Sequence, residues 1–269
     1  MIICIFSDLH AVLPAWLAFQ TNLAKQPEQP DIYWCLGDTV GYGPHPIDCL
    51  RGVRDLIDRD PRNLYLIGNH DAVALKTVPT GPMIGMPDVG KSGIHLDAER
   101  LTLTHYRMLE ERAPELLTWL REKKFTQHAS AQFPGLFLAH GSYINPADSE
   151  KDAHDTQHDR GARWLYPTKD VASAGVQVSR INQWHDNQLR LMFYGHYHIP
   201  SLMRYDLQRY RATYTPITFD EWISLDDLGD SPALINVGSL ALPRKSDDDP
   251  DCKPSTYVLL ELPEGDGLI

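Results

Sequence analysis

Short runs of apolar residues alternate along the chain with longer stretches in which apolar residues recur every three or four positions. Ile2–Phe6, Asp31–Leu36 and Asn63–Ile67 have strand length and are apolar on both faces, the pattern of buried parallel strands. Between them, Leu13, Trp16, Leu17 and Leu23 have helical spacing within Pro14–Lys25, and Pro46–Asp58 repeats that periodicity. The order β-α-β-α-β predicts a parallel sheet with right-handed crossovers. Residues 72–93 hold four glycines and three prolines with little periodicity and read as a long surface loop. Leu96–Lys123 reads as two helices broken near Ala113-Pro114. Further strands are expected at Gly135–Ala139, Leu191–Tyr194, twice within Arg204–Tyr214, at Ala233–Ser239 and at Thr256–Leu262, with a helix over residues 168–185. No linker interrupts the pattern, so residues 1–269 are expected to form one domain, with residues 72–123 as a cap inserted over its site.

Composition narrows this picture. With 42% hydrophobic and 23% charged residues, the chain reads as an ordinary globular protein that can bury a sizeable core. No apolar run approaches the ~20 residues needed to span a bilayer, so no membrane partner is expected. Met1–Phe6 lacks a basic start and a small-residue cleavage site, so it reads as a first strand, and a cytoplasmic location is the expectation. Cys4, Cys35, Cys49 and Cys252 have no CxxC spacing and read as reduced thiols. The formal net charge of −11 argues against a surface for long nucleic acid.

The chemistry lies where the apolar runs end. Ser7-Asp8-Leu9-His10 ends the first, Gly37-Asp38 the second and Gly68-Asn69-His70-Asp71 the third. His140-Gly141 ends a fourth, and Gly195-His196-Tyr197-His198 a fifth. Open α/β sheets place their ligands at the carboxyl ends of strands. Any one of these histidines, taken singly, reads as a surface or satisfied core residue. Together they put five of the twelve histidines beside two aspartates and an asparagine, which chance placement would not do. Imidazole and carboxylate together suit Zn, Mn, Fe and related ions, and eight candidates are too many for one tetrahedral ion. They suit two ions that share a carboxylate, an arrangement that clamps phosphoryl groups. His154 and His158 stand at i, i+4, but the polar segment around them reads as solvated.

These five motifs, in this order, resemble those of the calcineurin-like metallophosphoesterases. Tyr42-Gly43-Pro44, Asn236-Val237-Gly238-Ser239 and Pro243-Arg244 look closest to the small bacterial phosphodiesterase-like branch. The resemblance implies an α/β fold of four layers (α/β/β/α), a two-sheet β-sandwich flanked by helices. It implies that Asp8, His10, Asp38 and His198 hold a first metal, and that Asp38, Asn69, His140 and His196 hold a second. The ions would be two divalent metals among Mn, Fe, Zn, Ni and Co. The reaction would be hydrolysis of a small phosphodiester or phosphomonoester by a hydroxide held between the ions. Asp38 and Asn69 would serve that centre, and His70 would protonate the leaving oxygen.

Relatives that act on phosphoproteins or diadenosine tetraphosphate carry Asp-Arg-Gly after the second motif, where this chain has Gly41-Tyr42-Gly43. That lowers the expectation for those substrates. Ala11-Val12 also stands where relatives have Gly-Asn. The alternatives are a non-catalytic metal-binding scaffold, which loss of ligands would mark, and a nuclease or dinucleoside polyphosphate hydrolase. Oligomeric state leaves no trace in the sequence.

Overall fold

The computed structural model describes residues 1–78, 80–83, 86–90, 94–123, 125–144, 171–186, 188–215, 217, 220, 222–225, 231–241 and 255–262. The chain starts β1 (Ile2–Phe6), α1 (Leu13–Leu23), β2 (Ile32–Cys35), α2 (Pro46–Ile57), β3 (Leu64–Tyr65) and α3 (Asn69–Ala74). A hairpin of β4 (Pro82–Met83) and β5 (Met86–Gly90) and then the helices α4 (Leu96–Arg112) and α5 (Pro114–Glu122) follow. The second half holds β6 (Gln127–Ala129), β7 (Leu136–Ala139), α6 (Val171–Trp184), β8 (Leu191–Tyr194), β9 (Ser201–Asp206), β10 (Arg211–Thr215), β11 (Ala233–Asn236) and β12 (Val258–Glu261).

Two sheets carry the architecture. One has the order β12-β1-β2-β3, the other β10-β9-β11-β8-β7-β6. β1, β2 and β3 run parallel, as the alternating pattern predicts, with β12 antiparallel at the edge. In the second sheet β7, β8 and β11 are parallel and the outer strands antiparallel.

The period-2 alternation of a strand sends successive side chains to opposite faces. On β1, Ile3 and Ile5 enter one core while Cys4 and Phe6 enter another. Ile3, Ile5 and Trp34 meet Leu136, Leu138, Leu191 and Phe193 between the sheets. Cys4, Phe6 and Tyr65 pack outward against Trp16 and Phe19 of α1, Leu50 and Val53 of α2, and Leu116 and Leu120 of α5. On the far side, Phe137, Met192, Tyr194 and Leu234 pack against Ala174, Val178 and Ile181 of α6. The result is the four-layer α/β/β/α sandwich. Each fully buried large side chain is worth about 1.5–3 kcal/mol, so both faces of both sheets contribute to stability. Cys4, Cys35 and Cys49 are buried free thiols.

The helix break falls where expected. Ala113 has φ −152° and ψ 56° because a residue before proline is driven out of the α region, and Pro114 then starts α5. Three expectations need correction. Residues 72–93 are not all loop: α3 runs to Ala74, and β4 pairs with β5. The strand expected at Asn63–Ile67 is reduced to Leu64–Tyr65, since only those two residues register with β2. β6 was missed because Gln127-His128-Ala129 has no apolar alternation; it is held by backbone pairing with β7. His154, His158 and Cys252 lie outside the described residues.

Candidate metal centre

The expected ligands lie on loops at the carboxyl ends of β1, β2, β7 and β8, and on the first turn of α3 after β3. Asp8 N donates to Gly37 O at 3.0 Å, His10 N to Asp38 O at 2.9 Å and Ala11 N to Thr39 O at 2.7 Å, so the loops after β1 and β2 run side by side beyond the sheet. Gly195 N donates to His140 O at 2.9 Å and joins the loops after β7 and β8 in the same way. The close approach of these loops governs the glycines. A Cβ on Gly68 would lie 2.0 Å from Asp38 Oδ1, and one on Gly195 2.1 Å from Ser7 Oγ and 2.5 Å from Asp8 Oδ2. Gly68 itself has an extended backbone, φ −88° and ψ 176°, so it makes no sharp turn. Its lack of a side chain, not its flexibility, is what the position needs.

Strain concentrates here. Asp8, His10, Asp38, His196 and His198 all have φ between 50° and 63°, the left-handed region that non-glycine residues rarely occupy. Each such residue costs of order 1–3 kcal/mol and persists where the surroundings hold it, which is characteristic of functional sites.

The sandwich brings the expected residues together. Candidate ligand atoms of Asp8, His10 and His198 lie within 4.8 Å of one another, as do those of Asp38, His140 and His196, and those of His10, Asp38 and His70. His198 Nε2 is 3.0 Å from Asp8 Oδ1 and 3.0 Å from His10 Nε2. His140 Nε2 is 3.0 Å from Asn69 Oδ1 and 3.3 Å from Asp38 Oδ2. Asp38 Oδ2 also lies 4.0 Å from His10 Nε2, between the two histidines. Asp38 Oδ1 is occupied, accepting from His70 N at 2.8 Å.

The tautomers show what these atoms lack. His140 Nδ1 donates to Leu36 O at 2.8 Å, and His10 Nδ1 to Val40 O at 3.2 Å. Each neutral ring therefore turns a bare Nε2 lone pair toward other acceptors. Asp8 Oδ1 and Asp38 Oδ2 are buried without a hydrogen-bond donor among the described residues. Lone pairs converging at buried carboxylate and imidazole atoms could hold a cation. In the metal-free chain a proton partly fills that role: burial works to lower the His140 pKa, but the Asp38 and Asp8 carboxylates raise it to about 9. Burial likewise opposes ionisation of Asp8, yet His198 and His10 hold its pKa well below the usual carboxylate range. The Asp38 pKa is lowered against burial, chiefly by His140 and His70. Burial, reinforced by His140, lowers His196 to about 3. The donor set of imidazole, carboxylate and amide oxygen suits divalent transition metals.

The model of the calcineurin-like phosphoesterase family matches residues 1–200. The chain is a calcineurin-like phosphoesterase. A metallophosphoesterase from Sphaerobacter thermophilus superposes on this phosphoesterase with a TM-score of 0.61, at 23% identity over 97% of this chain and 84% of that one. A hypothetical protein from Pyrococcus horikoshii OT3 does so with a TM-score of 0.55, at 13% identity over 98% of this chain and 89% of that one. Both share the fold. An uncharacterized protein of Methanocaldococcus jannaschii is 36% identical over 69 residues, 26% of each chain. A symmetrical bis(5'-nucleosyl)-tetraphosphatase of Psychromonas ingrahamii is 31% identical over 129 residues, 48% of this chain. The matched stretch is 38% of that tetraphosphatase's length, so this phosphoesterase aligns with only part of either relative. The family is metal-dependent.

Several residues that brace the site were not among the candidate ligands, although some stand in the motifs. Asp71 Oδ2 accepts from Asp38 N at 2.8 Å, Gly68 N at 3.1 Å and Tyr65 Oη at 2.9 Å, clamping the β2 loop to α3. Its place within Gly68-Asn69-His70-Asp71 was the available signal. Burial and the Asp38 charge raise its pKa to about 6. Asn236 Nδ2 donates to Gly195 O at 2.7 Å and Ser239 Oγ to Asp8 O at 2.9 Å, so the β11 turn braces two ligand loops. Thr102 and His105 reach the site from α4: Thr102 Oγ1 is 3.0 Å from His70 Nδ1, and His105 Nδ1 accepts from Gly41 N at 3.1 Å. Nothing in their helical neighbourhood marks them. Tyr42 packs its ring against those of His10 and His70, with centroids 4.8 and 4.7 Å away.

Proposed function

We propose that the enzyme hydrolyses a small phosphodiester or phosphomonoester at a centre of two divalent ions, drawn from Mn, Fe, Zn, Ni and Co. Asp8, His10, Asp38 and His198 hold one ion; Asp38, Asn69, His140 and His196 hold the other. The observation that carries this reading is Asp38 Oδ2, buried, without a donor, and 3.3 and 4.0 Å from the Nε2 atoms of His140 and His10. When bound, such ions would supply an activated water and neutralise charge developing on the phosphoryl oxygens. The chain's part is to hold the donors rigid through the paired loops and to exclude water with the sandwich core. His70 N fixes Asp38 Oδ1, and the His70 ring donates a proton to the leaving oxygen. Burial lowers the His70 pKa to about 3, with Asp38 opposing and His10 assisting. A substrate phosphate beside the ring adds negative charge that raises it again.

The test is a panel of p-nitrophenyl monoester and diester, alkyl and nucleoside esters, cyclic nucleotides and dinucleoside polyphosphates, with each ion supplied to apo-protein. Turnover of a simple mono- or diester that depends on added ion is expected. Turnover confined to dinucleoside polyphosphates would place the enzyme with the tetraphosphatases. No turnover with any ion would favour a non-catalytic scaffold. His70→Asn should cut turnover of alkyl or nucleoside esters ~10²–10⁴-fold and p-nitrophenyl esters far less, because p-nitrophenolate leaves without a proton. Equal losses on both would assign His70 a binding role, and loss of one ion would make it a ligand.

A further inference from the structure

Thr102 lies on α4, thirty-two positions from His70 and outside every motif, yet both are buried and in contact. Its hydroxyl has one proton. Thr102 Oγ1 lies 2.8 Å from Ala98 O, an atom that can only accept, and 3.0 Å from His70 Nδ1. The arrangement that satisfies both contacts sends the hydroxyl proton to Ala98 O and the proton of His70 Nδ1 to Thr102 Oγ1. The ring plane is set independently, by Tyr42 and by the His10 ring 4.9 Å away at 79°.

We propose that Thr102 is a positioning residue for His70: it holds the ring in the Nδ1–H tautomer and leaves Nε2 as the nitrogen offered to the substrate. The contact persists when the ring is doubly protonated, since Nδ1 carries a proton in both forms. The same ring can therefore give and regain a proton at Nε2 without turning. A hydroxyl acceptor brings no charge of its own, so it orients the ring without anchoring a proton on it as a carboxylate would. α4 on this account positions His70 from the segment that runs between β3 and β6.

The inference rests on the proton-donor reading of His70 for its kinetic consequence, but its geometric content can be tested without turnover. In full-length protein loaded with Zn, imidazole 15N shifts of His70, assigned by their loss in His70→Asn, should show a protonated Nδ1 and a bare Nε2. In Thr102→Val that pattern should shift toward the Nε2–H tautomer, and in Thr102→Ser it should return. In steady state, Thr102→Val should lower kcat for an alkyl phosphodiester about tenfold, a fraction of the full general-acid contribution. KM, metal content and turnover of the p-nitrophenyl ester should be nearly unchanged, and Thr102→Ser should restore kcat. An Nε2–H tautomer in the wild type, or a tautomer unmoved in Thr102→Val, would overturn the proposal. If His70→Asn depresses both esters equally, the proton-donor reading fails, and the 15N pattern still decides the role of Thr102. Should Thr102→Val not fold, the wild-type and Thr102→Ser spectra decide it.

Discussion

Asp8, His10, Asp38, His140, His196 and His198 are uninformative singly and become legible only as a set, because each follows an apolar run that the sheet turns into a strand. Proximity then follows from the topology, since parallel strands end on the same side. Gly68 is set by space and not by backbone conformation: a Cβ there would sit 2.0 Å from Asp38 Oδ1. That gives a residue-scale prediction. Gly68→Ala should displace the Asp38 carboxylate, lower stability by ~1–3 kcal/mol as overpacking does, and weaken metal retention. Thermal denaturation with metal analysis checks it, and a variant with wild-type metal content would show that the loop relaxes freely.

At the scale of elements, the sequence located α4 and α5 and their break, but not what α4 faces. A helical pattern identifies a buried stripe, and docking alone decides which buried polar residue meets which loop. His105 is such a residue. It is 1% exposed and accepts from Gly41 N, so it must be neutral to keep that bond. Burial lowers its pKa to about 4. The unfolded chain, with a histidine pKa near 6.5, then binds the proton first. The neutral form's stabilisation is complete above pH 6.5 and is lost as pH falls through 4, by roughly 2–3 kcal/mol. His105→Gln keeps an acceptor for Gly41 N without titrating. Urea unfolding of metal-free protein should show wild type losing more stability than His105→Gln between pH 7 and pH 4. Parallel losses would mean that the α4 contact does not discriminate protonation states.

For the whole molecule, alternation of helix and strand patterns predicted the first sheet, and the resemblance supplied the sandwich. Short pairing such as β6 with β7 and the pairing of β4 with β5 are set by backbone hydrogen bonds and leave little periodicity to read. The inter-sheet core is where stability and site meet, because it sets the distance between the loop pairs. Phe193, 1% exposed between the sheets, should cost ~3–5 kcal/mol on replacement by Ala, measured by denaturant unfolding. Metals bound to the native state alone should raise the unfolding midpoint in proportion to the logarithm of ion concentration. The acidic balance of −11 does not oppose this, because the two divalent ions of the proposed centre would outweigh its two carboxylates. The central claim is that Asp38 joins two ions. Metal content per chain, measured by mass spectrometry after equilibration with Mn and separately with Zn, should be two in wild type and fall for both ions together in Asp38→Ala. One ion in the wild type, or two retained in Asp38→Ala, would contradict it.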